Sequence, residues 1–258
     1  MELTLILHGA ELVSLLMLVL WLLHFPIHNA AIVDAGWAGG LALLALLYAW
    51  EGDGWLPRRT LIAGMGFIWG MRLAGYLLVR IIGRPEEGRY VNLRKKWKTN
   101  LGFKFFIFFE FQAVLCVVLS LPFLFPVVNA REGFSRIENA GLILWLAAIA
   151  GETIADRQLA VFKSDPASKG KACRRGLWRY SRHPNYFFEW LIWLSFGLVS
   201  IASPHGWLGL LPPALILYFL VRVTGIPPTE AQALRSKGDD YREYQRTTSA
   251  FVPWPPKK

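Results

Sequence analysis

Cysteine is nearly absent. The 258 residues hold two, Cys116 in an apolar run and Cys173 in a basic loop. That excludes a disulfide framework and a cysteine-built zinc site. The five histidines are scattered and never form H-E-x-x-H, the spacing that puts two imidazoles on one helix face for zinc. There is no internal repeat and no low-complexity segment. No polar stretch is long enough to fold as a soluble domain, since the tail from Gly225 to Lys258 is too short to bury a core of its own. Acidic residues are outnumbered, 18 against 28 Lys and Arg, for a net charge of +10.

Apolar residues make up most of the rest. Hydrophobic residues are 54% of the chain, and the mean hydropathy is +0.36. Twelve tryptophans are present, as expected where indole rings sit at membrane–water interfaces. Seven stretches approach the roughly 20 helical residues that cross a hydrocarbon core. They lie near Leu3–His24, Ala30–Trp50, Leu61–Ile82, Phe103–Val128, Ala140–Phe162, Tyr186–Ile201 and Leu208–Val223. The sixth is short, which puts its first turn in the interface. The first carries Glu2 and no basic leader, so it reads as a retained span rather than a signal peptide. The pattern predicts an all-α polytopic membrane protein with seven transmembrane helices, one integral-membrane domain over residues 1–258. Its cap segment is 225–258, with an amphipathic stretch from Thr229 to about Arg246.

The connections sort by charge. Residues 83–102 hold six Arg and Lys, residues 163–185 hold seven, and the tail holds Arg235, Lys237, Arg242, Arg246, Lys257 and Lys258. The alternate connections hold only Arg58 and Arg59, then Arg131 and Arg136. With seven spans every basic segment falls on one side. The positive-inside rule makes that side cytoplasmic and the N-terminus external. Anionic lipid headgroups or an anionic cofactor then suit the charge better than nucleic acid.

Trp178–Trp190 reads W-R-Y-S-R-H-P-N-Y-F-F-E-W and changes from cationic to apolar halfway. Pro184 suits the first turn of a helix, and Ser181 suits a cap. Arg179, Arg182 and His183 surround that helix start, where the dipole favours an anion. The plain alternative is a basic membrane-surface anchor. Other polar groups fall inside the spans: Asn29 and Asp34, Arg72 and Arg80, Glu110 and Gln112, Glu152 with Asp156 at i and i+4, and Asn185 with Glu189 at the same spacing. In hydrocarbon each must be paired or line a cavity. Mutual ion pairs such as Arg72 with Asp34 would satisfy them structurally. Taken together they point to one polar cavity open to the cytoplasm. Gly64, Gly66 and Gly70 lie inside the third span and read as close helix packing, not as a dinucleotide fingerprint, which needs a preceding strand.

Several motifs carry a family resemblance: D-A-G-W at Asp34–Trp37, G-R-P-E-E-G-R-Y at Gly83–Tyr90, E-T-I-A-D-R-Q at Glu152–Gln158, G-L-W-R-Y-S-R-H-P-N-Y-F-F-E-W at Gly176–Trp190, and the tail from Thr224. Over nearly its whole length the chain resembles the bacterial membrane branch of the steroid 5-alpha-reductase family, the DUF1295 group. The R-H-P-N-Y core alone is less specific. Isoprenylcysteine and phospholipid methyltransferases share R-H-P-x-Y and use S-adenosylmethionine, and they supply the alternative reading.

The resemblance implies an oxidoreductase of the bacterial inner membrane that takes NADPH from the cytoplasm. It would reduce the 4,5 double bond of a 3-oxo-4-ene steroid, or a similar lipophilic enone, that enters from the bilayer. It places the nicotinamide at Asn185 and Glu189. The rest of the nucleotide falls to Glu152, Asp156, Lys163, Arg174, Trp178, Tyr180, Arg182, His183 and Tyr186, with Glu230, Arg235, Tyr241 and Tyr244 closing over it. Polarisation of the ketone falls to Asp34 and Tyr90, with Glu86 and Glu87 near the aligned position. The substrate would meet Trp37, Trp69, Arg72 and Gln112. The animal enzymes carry a Gln-Glu pair where this chain has Val33-Asp34. An Asp34 that donates to a ketone would have to be protonated, which burial favours.

Overall fold

The computed structural model describes residues 1–257. Every regular element among them is helical. In chain order they are α1 (Glu2–Ile27), α2 (Ile32–Glu51), α3 (Leu56–Ile81), α4 (Gly88–Trp97), α5 (Leu101–Leu119), α6 (Leu121–Val127), α7 (Arg136–Ser164), α8 (Pro184–Ile201), α9 (Leu211–Tyr218), α10 (Ile226–Lys237) and α11 (Asp239–Thr247). Among the described residues, six helical runs are long and apolar enough to cross a membrane: α1, α2, α3, α5, α7 and the run Gly206–Lys237 that contains α9 and α10. The protein is an all-α integral membrane protein.

Two of the expected spans come out differently. Phe103–Val128 is not one helix but α5 and α6, parted at Ser120. Pro122 opens α6 and has no N–H to continue the α5 ladder. The Ser120 hydroxyl donates to the Val117 carbonyl at 2.8 Å instead. The sixth expected span, α8, is not among the six runs. It has 18 residues, about 27 Å at 1.5 Å per residue, and Asn185 and Glu189 occupy its first two turns. The tail stretch expected as one helix is two, α10 and α11, parted at Gly238 (φ 55, ψ −125).

The chain divides into two compact units. The first comprises Met1–Ser135 and Val199–Gly209, the second Arg136–Leu198 and the residues from Leu210 onward. In the first, α2 is the central helix and packs on α1, α3, α5 and α6. Leu41, Ala42, Leu44, Ala45 and Tyr48 of α2 are wholly buried. Small residues permit this approach. A Cβ on Gly70 of α3 would stand 2.7 Å from the Ala38 carbonyl oxygen and 2.9 Å from the Ala42 Cβ. One on Gly66 would stand 2.7 Å from the Ala45 Cβ. Gly64 faces open space. Two of the three glycines in the third span therefore set the α2–α3 distance. At the far end of α3, Arg58 is buried and donates to the carbonyls of Asn129 (3.0 Å), Arg131 (2.5 Å) and Gly133 (2.6 Å).

In the second unit the run through α9 ends in a π turn at Phe219–Val223, where Thr224 N–H reaches back to the Phe219 carbonyl at 2.8 Å. Gly225 follows, because a Cβ there would lie 2.5 Å from the Leu220 carbonyl oxygen. Pro227 and Pro228 then start α10, where the missing N–H groups have no helical acceptor to lose.

The α2–α3 contact yields a prediction. Gly70→Leu should cost about 1–3 kcal/mol by overpacking, seen as a lower melting temperature in detergent. Gly64→Ala should melt no lower than the parent.

Candidate functional site

In the second unit Gly151 of α7 makes room for the Phe188 ring of α8, into which a Cβ would run. The i, i+4 spacing puts Glu152 and Asp156 on one face of α7, and Glu152 is buried. Across from them, Asn185 Nδ2 donates to Asp156 Oδ1 at 3.3 Å. Glu189 Oε1, one turn further along α8, accepts from Trp193 Nε1 at 3.0 Å. The Asn185 Oδ1 atom is shielded from solvent and has no donor in reach.

The turn before α8 is fixed to α7. Gln158 Oε1 accepts from Leu177 N–H at 2.9 Å, and Trp178 Nε1 donates to the Ala155 carbonyl at 2.9 Å. Gly176, at φ +57, sits against the Gln158 side chain. Ser181 does not cap α8, which starts three residues later; its hydroxyl accepts from His183 N–H at 3.1 Å within the turn and donates to the Phe251 carbonyl at 2.8 Å.

The tail then locks onto this turn through Glu230 of α10. Its Oε1 accepts from Arg182 Nε at 2.7 Å and lies 3.3 Å from His183 Nε2. Tyr241 OH approaches the same oxygen at 3.5 Å, and Gln245 Nε2 donates to Oε2 at 2.7 Å. Arg182 also donates to the carbonyls of Gln245 (3.0 Å) and Thr248. The structure therefore gives Arg182 and His183, read from the sequence as an anion-binding pair, to a carboxylate of the protein itself. Tyr244 OH donates to the carbonyls of Trp178 and Ser181. Burial, and then the neighbouring Glu230 charge for Tyr241, push the phenols of Tyr241 and Tyr244 above their ordinary pKa. Both remain neutral donors. Arg174 pairs with Asp240 at 3.1 Å, and Tyr186 OH lies 3.2 Å from the Thr229 hydroxyl. Tyr180 and Arg235 are exposed, and the Tyr180 carbonyl accepts from Trp254 N–H at 2.9 Å.

In the first unit Asp34 and Tyr90 do meet. Tyr90 OH donates to Asp34 Oδ1 at 2.9 Å. Arg89, which the sequence reading passed over, donates to the same phenol oxygen at 2.5 Å and pairs with Asp34. The Tyr90 ring is fully buried against Phe108. Burial first, then the Asp34 charge, raise the Tyr90 pKa. It is a phenol, not a phenolate, over the physiological range. Glu86 and Glu87 face arginines instead. Glu86 takes both Nε (2.8 Å) and Nη2 (3.0 Å) of Arg94 and accepts from Ala30 N–H at 2.8 Å, just before α2. Glu87 accepts from Arg80 at 2.8 Å. Trp37 and Trp69 meet edge to face at 6.1 Å. Arg72 follows Trp69 by one turn with Nε and Nη2 shielded from solvent. Gln112 is half-buried on α5, and its neighbour Glu110 accepts from the Ser14 hydroxyl at 2.6 Å.

A family model described as a protein of unknown function (DUF1295) matches residues 20–248. The chain belongs to that family. The matched range contains both the Asp34–Arg89–Tyr90 group and the Glu230 latch, and it is consistent with the resemblance to the steroid 5-alpha-reductases. An uncharacterized protein of Schizosaccharomyces pombe is 29% identical over an alignment covering 91% of this chain and 76% of the relative. No solved structure matches.

Arg94, Gln245 and Thr229 were missed along with Arg89. For Arg89 the signal was adjacency to Tyr90 within G-R-P-E-E-G-R-Y.

Two predictions follow from these ion pairs. Arg182 and Glu230 have side chains only 9% and 14% exposed. Arg182→Ala should therefore destabilise the tail by about 3 kcal/mol or more, read as faster amide exchange and proteolysis beyond Gly225. Burial raises the Glu86 pKa, but Arg94 and the Ala30 N–H lower it further, so it ends below its ordinary 4.5. Its contribution is complete above that value and is lost as pH falls through the depressed folded pKa. Glu86→Gln should thus lower the melting temperature at neutral pH, and the difference from the parent should shrink as pH drops below about 4.5.

Proposed function

We propose that this protein is an NADPH-dependent reductase of a carbon–carbon double bond conjugated to a ketone, acting on 3-oxo-4-ene steroids or similar lipophilic enones. One observation carries the reading. Tyr90 is a buried, neutral phenol held at 2.9 Å by Asp34 and at 2.5 Å by Arg89. The Tyr90 O–H is directed at Asp34 Oδ1, so the hydrogen that can be redirected to a ketone sits on the phenol. The donor to the ketone is therefore Tyr90. A substrate carbonyl that takes the place of Asp34 as its acceptor is polarised, and the enolate oxygen that develops is stabilised by the phenol and the Arg89 charge beside it. A proton taken up from solvent at the α carbon completes the reduction.

The residues of the second unit fit a nicotinamide cofactor on one count. Asn185 Oδ1 is a shielded acceptor without a donor, and a carboxamide N–H would satisfy it. Asn185 and Glu189 would hold that end, with Glu152 and Asp156 towards the ribose. When bound, NADPH supplies the hydride to the β carbon. The chain's own part is to orient the groups that it binds and to keep water from them. We place the cofactor side at the cytoplasm, where the basic segments belong by charge, and take α8 as a seventh, short span whose polar first turns lie at the interface.

The test is oxidation of NADPH by the purified protein, followed at the nicotinamide absorbance band. It should occur only when a 3-oxo-4-ene steroid is added. Tyr90→Phe should lower kcat at least about 100-fold and leave the NADPH dissociation constant unchanged. Thermal stabilisation by S-adenosylmethionine and none by NADPH would instead mark a lipid or prenylcysteine methyltransferase.

A further inference from the structure

Four lysines converge in the second unit, away from the Glu230 latch. Lys163 ends α7, Lys237 ends α10, and Lys169 and Lys171 flank Gly170 in the turn after α7. They line one groove of about 370 Å³. The turn is well defined. Lys169 N–H donates to Pro166 (3.2 Å) and Lys171 N–H to Ser168 (3.0 Å). Gly170, at φ +77, lets the chain reverse so that its two neighbours serve one concavity. Asp165 is the one acid in the lining, and its Oδ1 already accepts from Ala167 N–H at 2.9 Å as a cap. The groove is thus strongly cationic.

A plain reading makes these lysines a solvated face, and for Lys163 and Lys237 the helix C-termini do favour a cation. It does not account for the floor. Leu159 and Phe162, both half-buried, line the same groove. An apolar floor beneath four ammonium groups, at the end of a membrane-spanning helix, matches an amphiphile with an anionic head.

We propose that this groove is a phosphate-binding site for an acidic phospholipid. The lysines hold the phosphodiester as point charges, and the start of the acyl chains meets Leu159 and Phe162. The site is independent of the reductase reading. Three of its four lysines have no part in the nucleotide assignment, and the ligand needs no turnover.

The test uses the full-length protein in a neutral detergent, with short-chain phosphatidylglycerol, short-chain phosphatidylcholine and inorganic phosphate as separate probes. Phosphatidylglycerol should raise the melting temperature in a dose-dependent way, and the other two should not. Each lysine near an anionic headgroup contributes roughly a fivefold factor. Lys169→Gln/Lys171→Gln/Lys237→Gln should therefore weaken phosphatidylglycerol binding about 100-fold. Because Lys237 is half-buried, Lys169→Gln/Lys171→Gln serves as a second variant, with a loss of about 25-fold and an unchanged melting temperature without lipid. Equal stabilisation by phosphatidylcholine, an effect of inorganic phosphate as large as that of the lipid, or undiminished binding by the double variant would each overturn the assignment.

Discussion

One carboxylate organises the second unit. Glu230 receives Arg182, His183 and Gln245 within 3.3 Å, and through them the tail is tied to the turn that begins α8. Removing a charge pair from water is costly, and the cost is offset only when the remaining donors and acceptors are also matched. Here they are. Both Glu230 oxygens are engaged, and Arg182 delivers further donors to the carbonyls of Gln245 and Thr248. Tyr244 takes up the carbonyls of Trp178 and Ser181. The backbone groups left over where two short helices and a turn meet are thus capped by side chains rather than by water. Asn185 and Glu189 start from a helix whose first turn cannot drift.

The first unit follows the same logic with different residues. Where α3 ends and α4 begins, Arg80, Arg89 and Arg94 each meet a carboxylate, Glu87, Asp34 and Glu86 in turn. Two of these pairs are structural by their geometry. Glu86 is bidentate and also caps the entry to α2, and Glu87 only pairs with Arg80. The third differs because a buried phenol is inserted in it. Tyr90 hydrogen-bonds to both Asp34 and Arg89, so the ion pair holds a proton donor in one orientation.

How much could be read in advance depended on the range of the forces involved. The long apolar helices were legible because hydrocarbon forces each segment to satisfy its own backbone. The α5–α6 break was written in Pro122 but hidden by the unbroken apolarity of Phe103–Val128. α8 was recognised as short, and its polar first turns account for its absence from the long apolar runs. The choice of Asp34 and Tyr90 as partners came from the resemblance, not from spacing, since 56 residues separate them. What stayed hidden was which arginine meets which acid. Six basic residues crowd the segment 83–102, and only the three-dimensional path of the chain selects Arg94 for Glu86 and Arg89 for Asp34. Gln245 and Thr229 were invisible for the same reason.

The geometry also explains why R-H-P-x-Y says little about chemistry. In this chain Arg182 and His183 are directed at Glu230, and Tyr186 at Thr229. All three side chains of the motif bind the tail. A latch of this kind fixes the tail whatever chemistry the chain carries, so the motif by itself does not distinguish a reductase from a methyltransferase. Chemistry must then be sought in polar groups that the latch does not absorb. Asn185 Oδ1 is shielded with no donor, and Tyr90 is a phenol whose acceptor can be exchanged for a carbonyl. A methyl transfer to a thiolate or an amine gains nothing from a neutral acid backed by an arginine. Under the proposed reading, polarising a ketone gains directly, because negative charge developing on its oxygen would meet the phenol and the arginine beside it.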